Sequence, residues 1–320
     1  VPNLFLRQRG SRARRILASW AVVGLLVAAS TGCARAVGED DPTVLDDGRP
    51  LVLTTFTVLA DMAANVAGDH LRVESITKAG AEIHGYEPTP GDLRTAEQAE
   101  LILDNGLGLE AWFEKFVERI PAPHAVVSAN VDPIYIRDDA YAGKANPHAW
   151  MSPVVAETYV ENIADAFIAL DPANTDDYRA NATAYIGQLR EVGAELDADL
   201  SGLPARQRAL VTCEGAFGYL ARDFDLQEAY LWPVNAEQEG TPKQVVRTID
   251  FVRDNDVPAV FCESTVSDKA QLQVADDTGA RFGGQLYVDS LSDAAGPVPT
   301  YLDLLRYDAR LIADSPVGER

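Results

Sequence analysis

Cysteine and histidine are scarce in this chain, three and four copies among 320 residues, and neither falls in a familiar spacing. No Cys-x-x-Cys occurs, which excludes a cysteine-rich zinc site and a thioredoxin-like motif. No His-Glu-x-x-His occurs either, which removes the helix-borne site of zinc proteases. Positive charge is short as well. The 27 Lys and Arg face 49 Asp and Glu, a formal charge of −22. That balance argues against nucleic acid or anionic lipid headgroups as partners and is compatible with collecting cations. Low-complexity tracts and sequence-level repeats are missing too.

Apolar residues at 47% and charged residues at 24% are the proportions of a folded globular chain, and the length suits two domains of ordinary size. The first residues read as an export address. Arg7, Arg9, Arg12, Arg14 and Arg15 precede the apolar run ILASWAVVGLLVAA, too short to span a bilayer comfortably and followed by Ser30, Thr31, Gly32 and Cys33. Residues 1–32 are therefore expected to be a signal peptide. Small residues directly before a cysteine resemble the bacterial lipoprotein cleavage site, where Cys33 becomes the lipidated first residue. Loss of that segment takes five arginines and no acid, moving the formal charge from −22 to −27. Residues 33–49, polar and acidic without an apolar period, read as a lipidated tether.

From about residue 50, strand-like runs alternate with helical segments: LVLTTF, VLADMAANVAG, LRVESIT, GDLRTAEQAE, LILDNG. Such alternation predicts a parallel sheet covered by helices. The rhythm breaks at 171–200. There Tyr178, Tyr185, Leu189, Val192, Leu196 and Leu200, with Ala182 filling the first gap, form one apolar face. One long helix is expected, entered at Asp171 and Pro172 and stopped by Gly202 and Pro204, about 42 Å long. Afterwards the alternation resumes through RALVTCE, LQEAYLW, AVFCEST and QLYVD. The expected fold is α/β: two βα lobes with parallel sheets, residues 50–170 and 204–320, joined by one rigid helix over 171–203.

Ligands of such lobes bind at the loops leaving the carboxyl ends of strands. Four candidates fall there, two from each lobe, which places a site in the cleft between them. His84 follows LRVESIT in a loop stiffened by Pro88 and Pro90; His148 lies in NPHAWMSP just before a helix; Glu214 ends ALVTCE; Asp289 ends QLYVD. A lone loop histidine is more often a surface residue, and His70 and His124 are read that way. Prolines and aromatics around His84 and His148 set these two apart. Cys213 and Cys262, each directly before a glutamate at the end of an apolar run, are expected to form a disulfide if their strands are parallel neighbours in matching register.

From residue 50 onward the segments TTFTVLADMAANVAGD, HGYEPTPGDL, ILDNGLGLEAWFEKF, NPHAWMSP, EGAFGYLARDF, WPVNAEQEGTPKQV, FCESTVSDK and QLYVDSLSD resemble, in order, those of the substrate-binding lipoproteins of bacterial ABC importers for manganese, iron and zinc. Carried over position by position, the family's metal ligands fall on His84, His148, Glu214 and Asp289. The resemblance also implies two lobes on one helix and delivery of the metal to a membrane permease with its cytoplasmic ATPase. The expected carrier is a monomer outside the cytoplasm, lipid-anchored to the cell membrane. Two neutral imidazoles and two carboxylates supply a net charge of −2, which balances a buried divalent cation. Zinc-specific relatives often carry a third histidine where this chain has Glu214, together with a histidine-rich acidic loop, and this chain has neither. The hard oxygen donor puts manganese first, iron second and zinc third. A metalloenzyme with the same two-histidine, two-carboxylate set is the alternative, opposed by a fourth protein ligand that closes the site.

Overall fold

The computed structural model describes residues 48–314 except 118–119, 138, 205–207 and 235–239. The expected signal peptide, Cys33 and all but the last two residues of the tether lie outside the described residues. Among those described, no helix is long and apolar enough to cross a membrane.

Alternating strands and helices build the first half: β1 (Leu51–Thr54), α1 (Thr57–Ala67), β2 (Arg72–Ser75), α2 (Pro90–Ala96), β3 (Leu101–Asp104), α3 (Phe113–Val117) and β4 (His124–Val126). Every pair in this sheet is parallel, in the order β2-β1-β3-β4. Central β1 and β3 are buried throughout, as strands covered on both faces must be, whereas edge strands β2 and β4 are not. The order reverses between β1 and β3, which opens a crevice at their carboxyl ends.

Two helices follow, α4 (Pro153–Leu170) and α5 (Thr175–Ser201). The 27 residues of α5 span about 40 Å. Its start differs from the expectation: residues 172–174 form a separate 3-10 turn, and Asp171 closes α4 instead. The Asp171 carboxylate accepts from Asn174 Nδ2 (2.6 Å) and Tyr178 Oη (2.8 Å), both on Oδ2, so it braces this turn and the first turn of α5 from outside the helix.

The second half contains β5 (Ala209–Glu214), α6 (Gly218–Asp223), β6 (Gln227–Trp232), α7 (Pro242–Asp254), β7 (Ala259–Glu263), α8 (Lys269–Thr278), β8 (Arg281–Leu286) and α9 (Tyr301–Ala313). Parallel ladders join β5 to β6 and β7 to β8. Proline at the first turn fixes the start of α7, and Thr241 and Gln244 form a capping box there.

One apolar cluster runs from Val52 and Phe56 through α4 and α5 to Leu286, Tyr301 and Ile312, so both halves share a core. Smaller clusters lie beside each sheet. Helix α5 packs on α1, α4 and α9 at once. Polar ties reinforce this contact: Asp61 of α1 accepts Tyr185 Oη of α5 (3.2 Å) and the Tyr301 amide of α9 (3.0 Å). Leu189, fully buried at the centre of the α5 face, is the sensitive position. Leu189→Ala should lower stability by about 2–5 kcal/mol. Because the core is shared, chemical denaturation followed by tryptophan fluorescence should remain one transition; two separated transitions would contradict it.

Candidate metal centre

The four candidate donors are held by loops that the sequence makes stiff. Residues 76–89 lead from β2 to α2, and Glu82 folds back so that its carboxylate accepts the amides of His84 (2.6 Å) and Gly85 (2.7 Å). Trp112 Nε1 donates to the Ile83 carbonyl at 2.8 Å, and Thr89, Pro90 and Asp92 form a capping box at the far end. His148 precedes a 3-10 turn, Ala149–Met151, after which Ser152 caps α4 and Pro153 starts it. Glu214 is the last residue of β5, at the expected strand end. Asp289 is not: β8 stops at Leu286, because the Tyr287 amide leaves the ladder and donates to Asp308 Oδ1 of α9 (3.0 Å). Three more residues carry the chain to Asp289.

These side chains converge from both halves. His84 Nε2 lies 3.2 Å from His148 Nε2, 3.2 Å from Glu214 Oε1 and 4.0 Å from Asp289 Oδ2. His148 Nε2 lies 3.7 Å from Glu214 Oε1 and 3.8 Å from Asp289 Oδ1. Ligand atoms held about 2.1 Å from one small cation stand about 3.0–3.4 Å apart. His84, His148 and Glu214 come nearest to this, with ligand atoms all within 4.8 Å of one another, while Asp289 turns a different oxygen to each imidazole at 3.8 and 4.0 Å. All four side chains are at most 2% exposed. Neither oxygen of Asp289, nor His84 Nδ1, has a hydrogen-bond partner among the described residues. An ionised carboxylate buried without partners is costly, and a divalent cation between these donors would remove that cost. His70 and His124 stay apart, paired with Asp177 (2.8 Å) and Asp104 (3.2 Å).

Protons compete for the same atoms. Burial alone would lower the His84 pKa, but the charge and hydrogen bond of Glu214, then Asp289 and Glu82, lift it to about 9. Burial drives His148 down to about 3 against the pull of Glu214, with the charge on His84 helping. Asp289 is raised to about 8 by burial, opposed by His84 and assisted by the like charge of Glu214. Thus His148 offers a neutral imidazole, whereas His84 gives up a proton to become a ligand.

Two supporting residues were not assigned from the sequence. Asn146 Nδ2 donates to the Gly215 carbonyl at 2.6 Å, so its Oδ1 faces His148 and accepts both the backbone amide and Nδ1–H, each at 3.0 Å. That arrangement puts the imidazole proton on Nδ1 and leaves Nε2 free to bind. It also ties His148 to the residue after Glu214. Trp150 Nε1 donates to the Val288 carbonyl at 3.1 Å, directly before Asp289, while its ring lies 5.3 Å from the His148 ring. Both belong to the NPHAW segment, whose composition was the available signal.

Behind Glu214, strands β5 and β7 lie side by side, with Cys213 and Cys262 bonded and their Cα atoms 4.8 Å apart, the usual strand spacing. Side chains take groups that a ladder would pair: Glu263 Oε2 accepts the Glu214 amide (3.1 Å) and Gln271 Nε2 donates to the Val211 carbonyl (3.1 Å). Burial, and then the charge of Glu214, push Glu263 well above the usual carboxylate range.

Comparison with known proteins shows what the whole chain is similar to. Residues 52–315 match the model of the ZnuA family, described as zinc-uptake complex component A, periplasmic. The chain is 53% identical over 280 residues to the iron-binding protein YfeA of Yersinia pestis, covering 87% of this chain and 89% of YfeA. It is 34% identical over 271 residues to the manganese ABC transporter substrate-binding lipoprotein PsaA of Streptococcus pneumoniae, covering 82% and 87% of the two chains. Among solved structures it is similar to the Mn-bound periplasmic metal binding protein of Candidatus Liberibacter asiaticus. That match has a TM-score of 0.78 at 38% identity, over 83% of this chain and 99% of the other. The periplasmic zinc binding protein TroA of Treponema pallidum gives 0.78 at 26% identity, over 84% and 99%.

The pKa of His84 sets a pH dependence with a definite sign. Raised to about 9, it leaves the imidazole protonated at neutral pH, and a cation must displace that proton. Manganese affinity should weaken as pH falls from 8 to 6, about tenfold per unit for each proton displaced. Titration calorimetry in buffers of different ionisation enthalpy counts the protons released, and a buffer-independent heat would exclude the competition.

Proposed function

We propose, from the premise that this chain belongs to the ZnuA family of periplasmic components of metal-uptake complexes, that it captures manganese on His84, His148, Glu214 and Asp289. Members of that family are substrate-binding proteins of metal importers and not enzymes, which sets the metalloenzyme alternative aside. The protein works outside the cytoplasm, and an ABC importer supplies the permease and ATPase to which it hands its metal. The observation that carries the reading is the Asp289 carboxylate, buried without a hydrogen-bond partner among the described residues while facing both imidazoles and Glu214.

Manganese comes first, then iron, then zinc. Glu214 is a hard, negative donor, and two carboxylates with two neutral imidazoles balance a divalent charge; a carboxylate binding through both oxygens also exceeds the coordination number that zinc prefers. The names of relatives are consistent with all three metals: YfeA with iron, PsaA with manganese, TroA with zinc. Residues 50–170 and 204–320 serve as lobes around a linker at 171–203, and Cys33 carries the lipid that keeps a monomer at the membrane.

Two experiments test this. Glu214→His removes one negative charge and substitutes a nitrogen donor, so competition titrations should show manganese affinity falling much further than zinc affinity. An unchanged affinity ratio, alongside metal analysis of protein purified from its own host, would remove the selectivity assignment. Cys33→Ala should release the mature protein from membranes into the soluble fraction, and continued retention would refute the lipid anchor.

A further inference from the structure

We propose that Ser290 is a positioning residue that latches the His84 loop to the Asp289 loop and so sets the rate at which the cation leaves. The inference rests on the metal centre proposed above and adds a residue that is not itself a donor.

Ser290 directly follows Asp289 and is 1% exposed. Its Oγ accepts the Gly80 amide at 2.7 Å, across 210 positions of sequence, and donates its one proton to the Leu291 carbonyl at 3.0 Å. With that proton committed, the 3.4 Å contact with Thr57 Oγ1 has the threonine as donor. Thr57 in turn accepts the Leu291 amide at 2.9 Å. A single hydroxyl therefore joins three segments: the loop carrying Asp289, the loop carrying His84 four residues beyond Gly80, and the first turn of α1.

The setting of Gly80 gives this junction a kinetic character. Residues 76 and 77 are fixed by extending β2, through bonds to the Thr54 and Thr55 carbonyls at 2.8 and 3.2 Å, and the far end of the loop is fixed by the α2 capping box. Between those ends, the Glu82 carboxylate lies within 4.8 Å of Asp289 as a like charge that does not tie the two together, and the ion-paired contacts of the loop with the second half, among the described residues, are those of His84 itself with Glu214 and Asp289. Those contacts are exchanged for metal bonds when a cation arrives, whereas the Gly80–Ser290 bond need not change. Gly80 is exposed, so on breaking the bond its amide is hydrated rather than orphaned. Opening the latch thus costs little in folding stability but frees the loop that carries one donor from the loop that carries another. Association, which is governed by diffusion and the acidic surface, depends on it little; departure of the cation requires donors to separate and depends on it directly.

The test compares manganese association and chelator-driven dissociation by stopped flow in the whole protein. Ser290→Ala should fold, retain its melting temperature within a few degrees and release manganese about tenfold faster, with the association rate changed less than about twofold. Thr57→Ser should keep the wild-type rate, and Thr57→Val should speed release, which provides a second arm if Ser290→Ala does not fold. A folded Ser290→Ala, or failing that Thr57→Val, that releases manganese within twofold of wild type would overturn the latch; so would equal changes in both rates. Asp289→Ala separates this failure from failure of the metal centre: retained wild-type binding would refute the centre, whereas lost binding beside a wild-type rate in Ser290→Ala would refute the latch alone.

Discussion

Burial of two carboxylates against the same pair of imidazoles is the constraint on which the rest of this structure depends. Glu214 and Asp289 are each 1% exposed; burial and the like charge of Glu214 raise the proton affinity of Asp289, and a cation beside them would relieve the same cost. His84 answers in one way by holding a proton, and a divalent metal would answer in another. The candidate centre can be read as a proton-for-metal exchanger whose set point is fixed by burial. Its charge balance, two carboxylates against one divalent ion, leaves little net charge to stabilise once the site is filled.

An exchanger of this kind works only if its donors do not drift apart, and the fold supplies that rigidity at three scales. At the largest, a shared apolar core and the long α5 keep the halves in register. At the next, parallel strands end beside the cleft, with the bonded Cys213–Cys262 pair holding β5 against β7 directly before Glu214 and Glu263. At the smallest, hydrogen bonds orient three of the candidate donors: Asn146 for His148, Glu82 for the backbone at His84, Trp150 for the carbonyl before Asp289. Each level limits the error left by the one above it.

Selectivity and collection draw on different features. A formal charge of −22 concentrates any cation near the surface without distinguishing among metals. Discrimination would have to come from ligand hardness, number and geometry at the candidate centre, where Glu214 offers oxygen in place of a third nitrogen. Iron, manganese and zinc in the names of similar proteins fit such a division, since one scaffold can serve several ions by changing few donors.

Much of this was legible in the residues. The alternation from residue 50 gave the parallel α/β architecture, because burial on two faces leaves continuous apolar runs and helices leave a 3.6-residue period. The apolar series from Tyr178 to Leu200 gave α5, which begins at Thr175 because residues 172–174 form a separate 3-10 turn before it. Proline-framed histidines and strand-terminal acids gave the four candidate donors. Sequence could not give Asn146 as the partner of His148, Trp150 as the support beside Asp289, or Gly80 and Ser290 as neighbours. Nor did it show that β8 would stop three residues before Asp289, released by Asp308. Such pairings join residues up to 210 positions apart through one bond each. Periodicity records which face of an element is buried; only the tertiary fold decides which polar atoms meet there, because a hydrogen bond depends on ångström positions that no local pattern encodes.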